Sequence, residues 1–160
     1  MERVNRILLH AEYQKNRERI EQCEADRIFC KHDIGHFLDV ARIAQILNLK
    51  EELHISEELI YAAGLLHDIG RHIQYMDGTP HEKASVPIAA GILETCGFDN
   101  METELILYAI ENHRTSKIKE NKDLAGVIYR ADKLSRPCFS CQMEPECNWK
   151  NDKKNRNIVQ

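Results

Sequence analysis

The chain of 160 residues is long enough for one domain around a single core and too short for two independent ones. With 22 Lys and Arg against 26 Asp and Glu, its formal net charge of −4 argues against a nucleic-acid binder that works through overall charge, though not against a local basic patch. The longest apolar run falls far short of the ~20 residues needed to cross a bilayer.

The opening Met1-Glu2-Arg3-Val4-Asn5-Arg6 leads into a charged amphipathic segment rather than a signal peptide, which predicts a cytoplasmic setting. Val4, Ile7, Leu8 and Ala11 recur at helical spacing, and the polar stretch 15–21 extends that first helix. A second helix is expected over about 34–49, with Phe37, Leu38, Ala41, Ala44 and Leu47 on one stripe. His32 and His36, four apart, are expected to share its face. Ser56 with Glu57 and Glu58 is a start signal for a third helix, since a hydroxyl caps and acids suit the dipole. Its run 59–66 is apolar nearly all round and belongs in a core, and Gly70 is expected to end it.

Residues 71–81 read as a loop, with Asp77-Gly78-Thr79-Pro80 as turn chemistry. Ser85 is expected to cap a fourth helix with Pro87 in its first turn, closed by Gly97. Asn100 opens a fifth that runs to about His113. After a polar loop, 114–121, a sixth carries Leu124, Val127, Ile128, Ala131 and Leu134 and stops at Pro137. No strand-like alternation competes with these helices. The expected fold is therefore all-α, a single-domain helical bundle. Residues 1–29 pack on it as an N-terminal helix, 30–136 form the main domain, and 137–160 are a cysteine-containing extension with a polar tail.

Chemistry-bearing residues fall where apolar stripes meet helix ends. His67 and Asp68 follow the apolar run directly, and an imidazole and carboxylate buried there are costly unless paired or bound to a cation. His36, His81, His113 and Asp132 lie on four other elements, a distribution suited to a site between helices. His10, His54 and His72 have no such setting and read as surface or satisfied side chains.

The order His36, His67-Asp68, Asp132 in an all-α chain resembles the HD superfamily of metal-dependent phosphohydrolases. The likeness extends over about 30–136. It includes His36-Phe37-Leu38-Asp39-Val40-Ala41-Arg42, Leu65-Leu66-His67-Asp68-Ile69-Gly70 and Tyr129-Arg130-Ala131-Asp132-Lys133. The resemblance implies that His36, His67, Asp68 and Asp132 ligate a shared metal. His81 and His113 resemble two further histidines of members that hold two metals, where Asp68 would bridge the pair. Those members are also similar in Ser85-Val86-Pro87-Ile88-Ala89-Ala90 and Ala109-Ile110-Glu111-Asn112-His113. Bacterial HD hydrolases of symmetrical dinucleoside tetraphosphates look most similar. His32 can serve as an outer donor to the site.

Mixed imidazole and carboxylate ligands suit one or two divalent transition metals, Fe, Mn, Co or Zn, better than Mg or Ca; the resemblance implies Fe as the first choice. Such cations lower the pKa of water and stabilise both oxygens of an in-line phosphoryl displacement. Asp68 and Arg71 are the expected catalytic pair, Arg71 reaching phosphate oxygens from three positions beyond the bridging carboxylate. Lys83, Arg114 and Lys133 are weaker candidates for the same role and otherwise read as ordinary surface charges.

Cys138-Phe139-Ser140-Cys141 and Cys147 place three thiols within ten residues. With Cys30 as a fourth ligand they would form a structural zinc site, or alternatively an iron–sulfur cluster, stapling the C-terminal segment to the bundle; the other reading is buried or unpaired thiols. Cys23 and Cys96 read as unpaired thiols and Trp149 as packing. The expectation is a phosphohydrolase acting on a phosphate ester or anhydride of a nucleotide-like small molecule, as a monomer or homodimer without nucleic-acid or membrane partners. A di-iron oxygenase of the same fold and a metal-loaded nucleotide sensor are the alternatives.

Overall fold

The structure, a computed structural model, describes residues 1–159, which contain eight α-helices, four short 3-10 turns and no strand. The helices are α1 (Glu2–Leu9), α2 (Ala11–Cys23), α3 (Ile34–Lys50), α4 (Glu57–Leu66), α5 (Arg71–Asp77), α6 (His81–Cys96), α7 (Asn100–Asn112) and α8 (Leu124–Leu134). The all-α single-domain expectation holds. None of the described helices is long and apolar enough to cross a membrane.

Helix α4 forms the centre because its sequence leaves it no polar face. Leu59, Ile60, Ala62, Ala63, Gly64, Leu65 and Leu66 are all buried, and α1, α3, α7 and α8 pack around it. Gly64 permits the closest of these approaches, since a Cβ there would stand 2.8 Å from that of Ala41 on α3. Arg3 ties the N-terminal helix down, donating from Nε to Glu58 of α4 at 2.7 Å and from Nη2 to Glu102 of α7 at 3.0 Å.

Four local expectations are corrected. The first helix is two, broken at His10, whose Nδ1 accepts the Glu12 amide at 3.2 Å and so caps α2. The stretch read as a loop contains α5, because Gly70 (φ −89) does not terminate the chain's helical course and instead begins a new turn. Helix α6 starts at His81 rather than Ser85, which places Pro87 inside the helix. The Ser85 hydroxyl caps nothing there. It accepts the Gly70 amide at 2.9 Å and joins α6 to the turn that carries His67 and Asp68. Finally, α5 turns His72 inward, against the surface expectation. The ring is buried, its Nδ1 has no partner, and desolvation pushes its pKa down. His54 stays exposed as expected.

Candidate metal centre

Five elements deliver the expected ligands to one point, and each does so at a helix end. Asp33 caps α3 by accepting the His36 amide at 3.0 Å, which sets His36 in the first turn. Helix α4 stops at Leu66, so His67 and Asp68 occupy the turn into α5. His81 opens α6, His113 closes α7, and Asp132 sits in the last turn of α8.

Two donor sets result, His36–His67–Asp132 and Asp68–His81–His113, each with ligand atoms within 4.8 Å of one another. Asp68 belongs to both neighbourhoods. Its Oδ2 lies 3.8 Å from His36 Nε2 and 3.5 Å from His67 Nε2, while Oδ1 lies 3.0 Å from His81 Nε2 and 3.4 Å from His113 Nε2. Asp132 Oδ1 stands 3.6 Å from His36 Nε2 and 3.9 Å from His67 Nε2.

The far sides of the His36, His67 and His113 imidazoles are engaged in a way that selects one tautomer. His67 Nδ1 donates to the Gly64 carbonyl at 2.8 Å and His113 Nδ1 to the Ile110 carbonyl at 2.6 Å. Ser135 gives its hydroxyl proton to the Asp132 carbonyl at 2.8 Å and accepts from His36 Nδ1 at 3.2 Å. His81 Nδ1 reaches Gln74 Oε1 at 2.5 Å; Arg71 Nη1 competes for the same nitrogen at 2.6 Å, but only the Gln74 partnership leaves Nε2 as a lone pair. The Nε2 lone pairs of His36, His67 and His113 then face the carboxylates, as metal-ligating histidines require, and His81 Nε2 points the same way.

Without a cation this arrangement sets acceptor against acceptor. His36 Nε2, His67 Nε2 and Asp68 Oδ1 are buried and without a hydrogen-bond partner, and His81 Nε2 stands 3.2 Å from His113 Nε2. Orphaned groups of this kind cost roughly 1–3 kcal/mol each when left unpaired. The residues therefore fit a divalent metal. Burial pushes the His67 pKa down to about 3, keeping the ring neutral. For Asp68 and Asp132 burial acts to raise the pKa, but surrounding imidazoles, and for Asp132 the Lys133 and Arg136 cations, hold both carboxyls below their usual range.

Sequence reasoning missed the support for His32. That residue precedes the α3 cap rather than sharing the helix face, yet it is buried and its Nε2 lies 3.7 Å from Asp68 Oδ2. Buried Glu24, at the end of α2, accepts His32 Nδ1 at 2.5 Å, the His32 amide at 2.7 Å and the Tyr75 hydroxyl at 2.5 Å. Desolvation alone would raise Glu24, but these bonds draw it down to about 2. No local pattern marks Glu24, because its partners sit 8 and 51 residues away. Arg136 was also missed, although its position four after Asp132 was a usable signal; its Nη2 lies 3.5 Å from Asp132 Oδ1.

A cavity of about 160 Å³ opens onto these groups, and Arg71, Arg114, Lys133 and Arg136 line it. Arg71 is where the sequence places it. Arg114 and Lys133 are at the mouth rather than on an ordinary surface, while Lys83 is exposed as expected. The cysteines do not converge. Among the described residues no cysteine joins a set of three close donors, although Cys30 and Cys141 line one cleft. Other contacts hold the C-terminal segment to the bundle. Asn155 Nδ2 donates to the Lys133 and Arg136 carbonyls at 2.6 and 3.0 Å, and the Arg136 guanidinium lies 5.4 Å from the Trp149 ring centre. Cys96 is buried and Cys23 exposed.

The HD domain family model matches residues 33–136, the stretch that supplies all six expected ligands. The chain belongs to the HD family. It is 48% identical over 158 residues to an uncharacterized protein of Clostridium beijerinckii, covering 99% of both chains. It is 30% identical over 102 residues to Ribonuclease Y of Mycoplasma mycoides, a match that spans 64% of this chain but only 18% of that protein. The crystal structure of a predicted HD superfamily hydrolase from an uncultured Thermotogales bacterium superposes with a TM-score of 0.63 at 25% identity. That match covers 88% of this chain and 80% of the other. Members of this family bind divalent metals through the donor types gathered here.

Proposed function

We propose that this HD protein is a metal-dependent phosphohydrolase, cleaving a phosphate ester or anhydride of a nucleotide-like small molecule. The carrying observation is Asp68, which turns Oδ2 toward the His36 and His67 rings and Oδ1 toward His81 and His113. One carboxylate placed between two donor sets suits a pair of cations. His36, His67, Asp68 and Asp132 would hold one, and His81 and His113 with Asp68 a second. The mixed nitrogen and oxygen donors suit iron, manganese, cobalt or zinc, and the resemblance to HD hydrolases puts iron first. Held there, such cations supply Lewis acidity to a phosphoryl oxygen and bring the pKa of water toward neutrality.

The chain's own groups do the rest. Arg71, Arg114, Lys133 and Arg136 surround the pocket with positive charge, which receives and orients phosphate oxygens. Burial keeps the His67 ring neutral, so its Nε2 stays available as a donor. The shared stretch with Ribonuclease Y, whose name declares a phosphodiester substrate, supports phosphoester chemistry at this site.

Protein expressed in iron- and manganese-supplemented medium should carry at least one transition metal per chain. It should hydrolyse a member of a panel of nucleoside mono- and triphosphates, cyclic nucleotides and dinucleoside polyphosphates. Asp68→Asn should abolish that turnover. Less than one metal per chain, turnover that survives Asp68→Asn, or substrate-linked oxygen consumption without hydrolysis would overturn the proposal.

A further inference from the structure

The metal pocket is too small for the substrate class it serves. Whole small-molecule ligands occupy sites of about 300–1,000 Å³, whereas this pocket measures about 160 Å³. It has room for a phosphoryl group, and the remainder of any nucleotide must lie elsewhere. A second, larger space of about 840 Å³ adjoins it, formed between α8 and the C-terminal segment. Arg114, Lys133 and Trp149 line both spaces and so mark the passage between them. Tyr129 and Lys150 add a ring and a charge to the wider one.

Trp149 lies outside the 33–136 stretch that defines the family, in the segment the sequence suggested a zinc ion would staple. It is half-buried, set against the Arg136 guanidinium, which in turn reaches Asp132. Its place is fixed from both sides. Asn155 holds the segment to the end of α8, and Lys154 Nζ donates to the Glu144 carbonyl at 2.8 Å, closing the loop that carries the indole.

We infer that the C-terminal segment builds the recognition half of this active site, in which Trp149 stacks on an aromatic ring of the substrate while Arg114 and Lys133 hold the phosphate between ring and metal pocket. The ligand class is a small ring-bearing phosphate such as a nucleotide. The inference rests on the phosphohydrolase reading for the role of the metal pocket, but ring binding is measurable without turnover.

Trp149 is the only tryptophan in the chain, so emission excited beyond the tyrosine absorption band reports on this groove alone. Metal-loaded protein titrated with AMP should show a saturable change in emission. Ribose 5-phosphate, which lacks the ring, should bind at least about 10-fold more weakly and leave the emission unchanged. By calorimetry, Trp149→Ala should lose AMP affinity by between about 5-fold and about 150-fold, the range for removing one base–aromatic stack. Trp149→Phe should recover most of that loss, and neither variant should change binding of inorganic phosphate. Wild-type AMP affinity in folded Trp149→Ala, equal binding of ribose 5-phosphate, or a short oligoribonucleotide bound about 100-fold tighter than AMP would each overturn the inference. A ring-specific signal in protein that hydrolyses nothing would leave it standing and sink the phosphohydrolase reading instead.

Discussion

Two glycine-to-alanine substitutions, at Gly70 and at Gly91, should have opposite signs. At Gly70 an added Cβ would stand 2.5 Å from both the Ala84 carbonyl carbon and the Ser85 amide nitrogen of α6. Ordinary contact begins at 3.4 Å, so α6 and the His67–Asp68 turn must separate by roughly 1 Å, into backbone that cannot swing away. Overpacking of this kind costs about 1–3 kcal/mol, and loss of the Gly70–Ser85 hydrogen bond adds about 1 kcal/mol. A total of about 2–4 kcal/mol should lower the melting temperature by about 4–16 °C at this chain length. Because α6 begins with His81, the same separation pulls its Nε2 away from Asp68 Oδ1, now 3.0 Å distant. Metal–ligand distances tolerate only about 0.2 Å. Gly70→Ala should therefore lose the metal of the His81–His113 set before that of the His36–His67 set. Gly91, on the exposed side of the same helix, has nothing within 4 Å of its would-be Cβ. Alanine there should stabilise by about 0.5–1 kcal/mol through helix propensity alone. Calorimetric melts with metal stoichiometry on both variants check the reasoning. A Gly70→Ala protein with parental melting temperature and full metal content would refute it.

Glu24→Ala removes the carboxylate that orients His32, and should weaken metal affinity by about 10- to 100-fold in a chelator competition. Glu24→Gln keeps the shape as a folding control, and unchanged affinity in both variants would rule out a link from α2 to the metal centre. A pH dependence follows from His67, held down at about 3 in the folded chain against an ordinary 6.5. Between those values the unfolded chain binds a proton that the folded one refuses. Stability of the metal-free protein should therefore fall as pH drops below about 6.5, by at most about 1.4 kcal/mol per unit from this group. The depressed Asp68 and Asp132 add loss in the same direction at lower pH, once the unfolded carboxylates protonate. Urea midpoints from about pH 7 to about pH 5 should be less pH-dependent in His67→Gln, and parallel curves for variant and parent would disprove the assignment.

Legibility in the sequence followed the range of the forces involved. Caps such as Asp33, Asp99 and Asp123 and the left-handed stop at Gly97 act within a few residues. The helix ends they set were accordingly readable nearly to the residue. Gly70 misled because a glycine's role depends on what approaches it, and here that is the backbone of α6, fourteen residues on. The hidden start of α6 had the same origin, since Ser85 looks like a cap in sequence and works as a tie between elements.

Amino-acid order by itself determined the all-helical architecture, because helical periodicity is a local property, and it made the six candidate imidazole and carboxylate donors legible through the resemblance of their segments to HD proteins. Packing decided the remainder. It brought Glu24 to His32, placed Arg136 beside Asp132, kept the cysteine sulfurs from gathering, and laid Trp149 along the pocket mouth. These contacts join residues whose separation along the chain carries no signal, and only the docking of α2, α5, α8 and the C-terminal segment around α4 makes them neighbours.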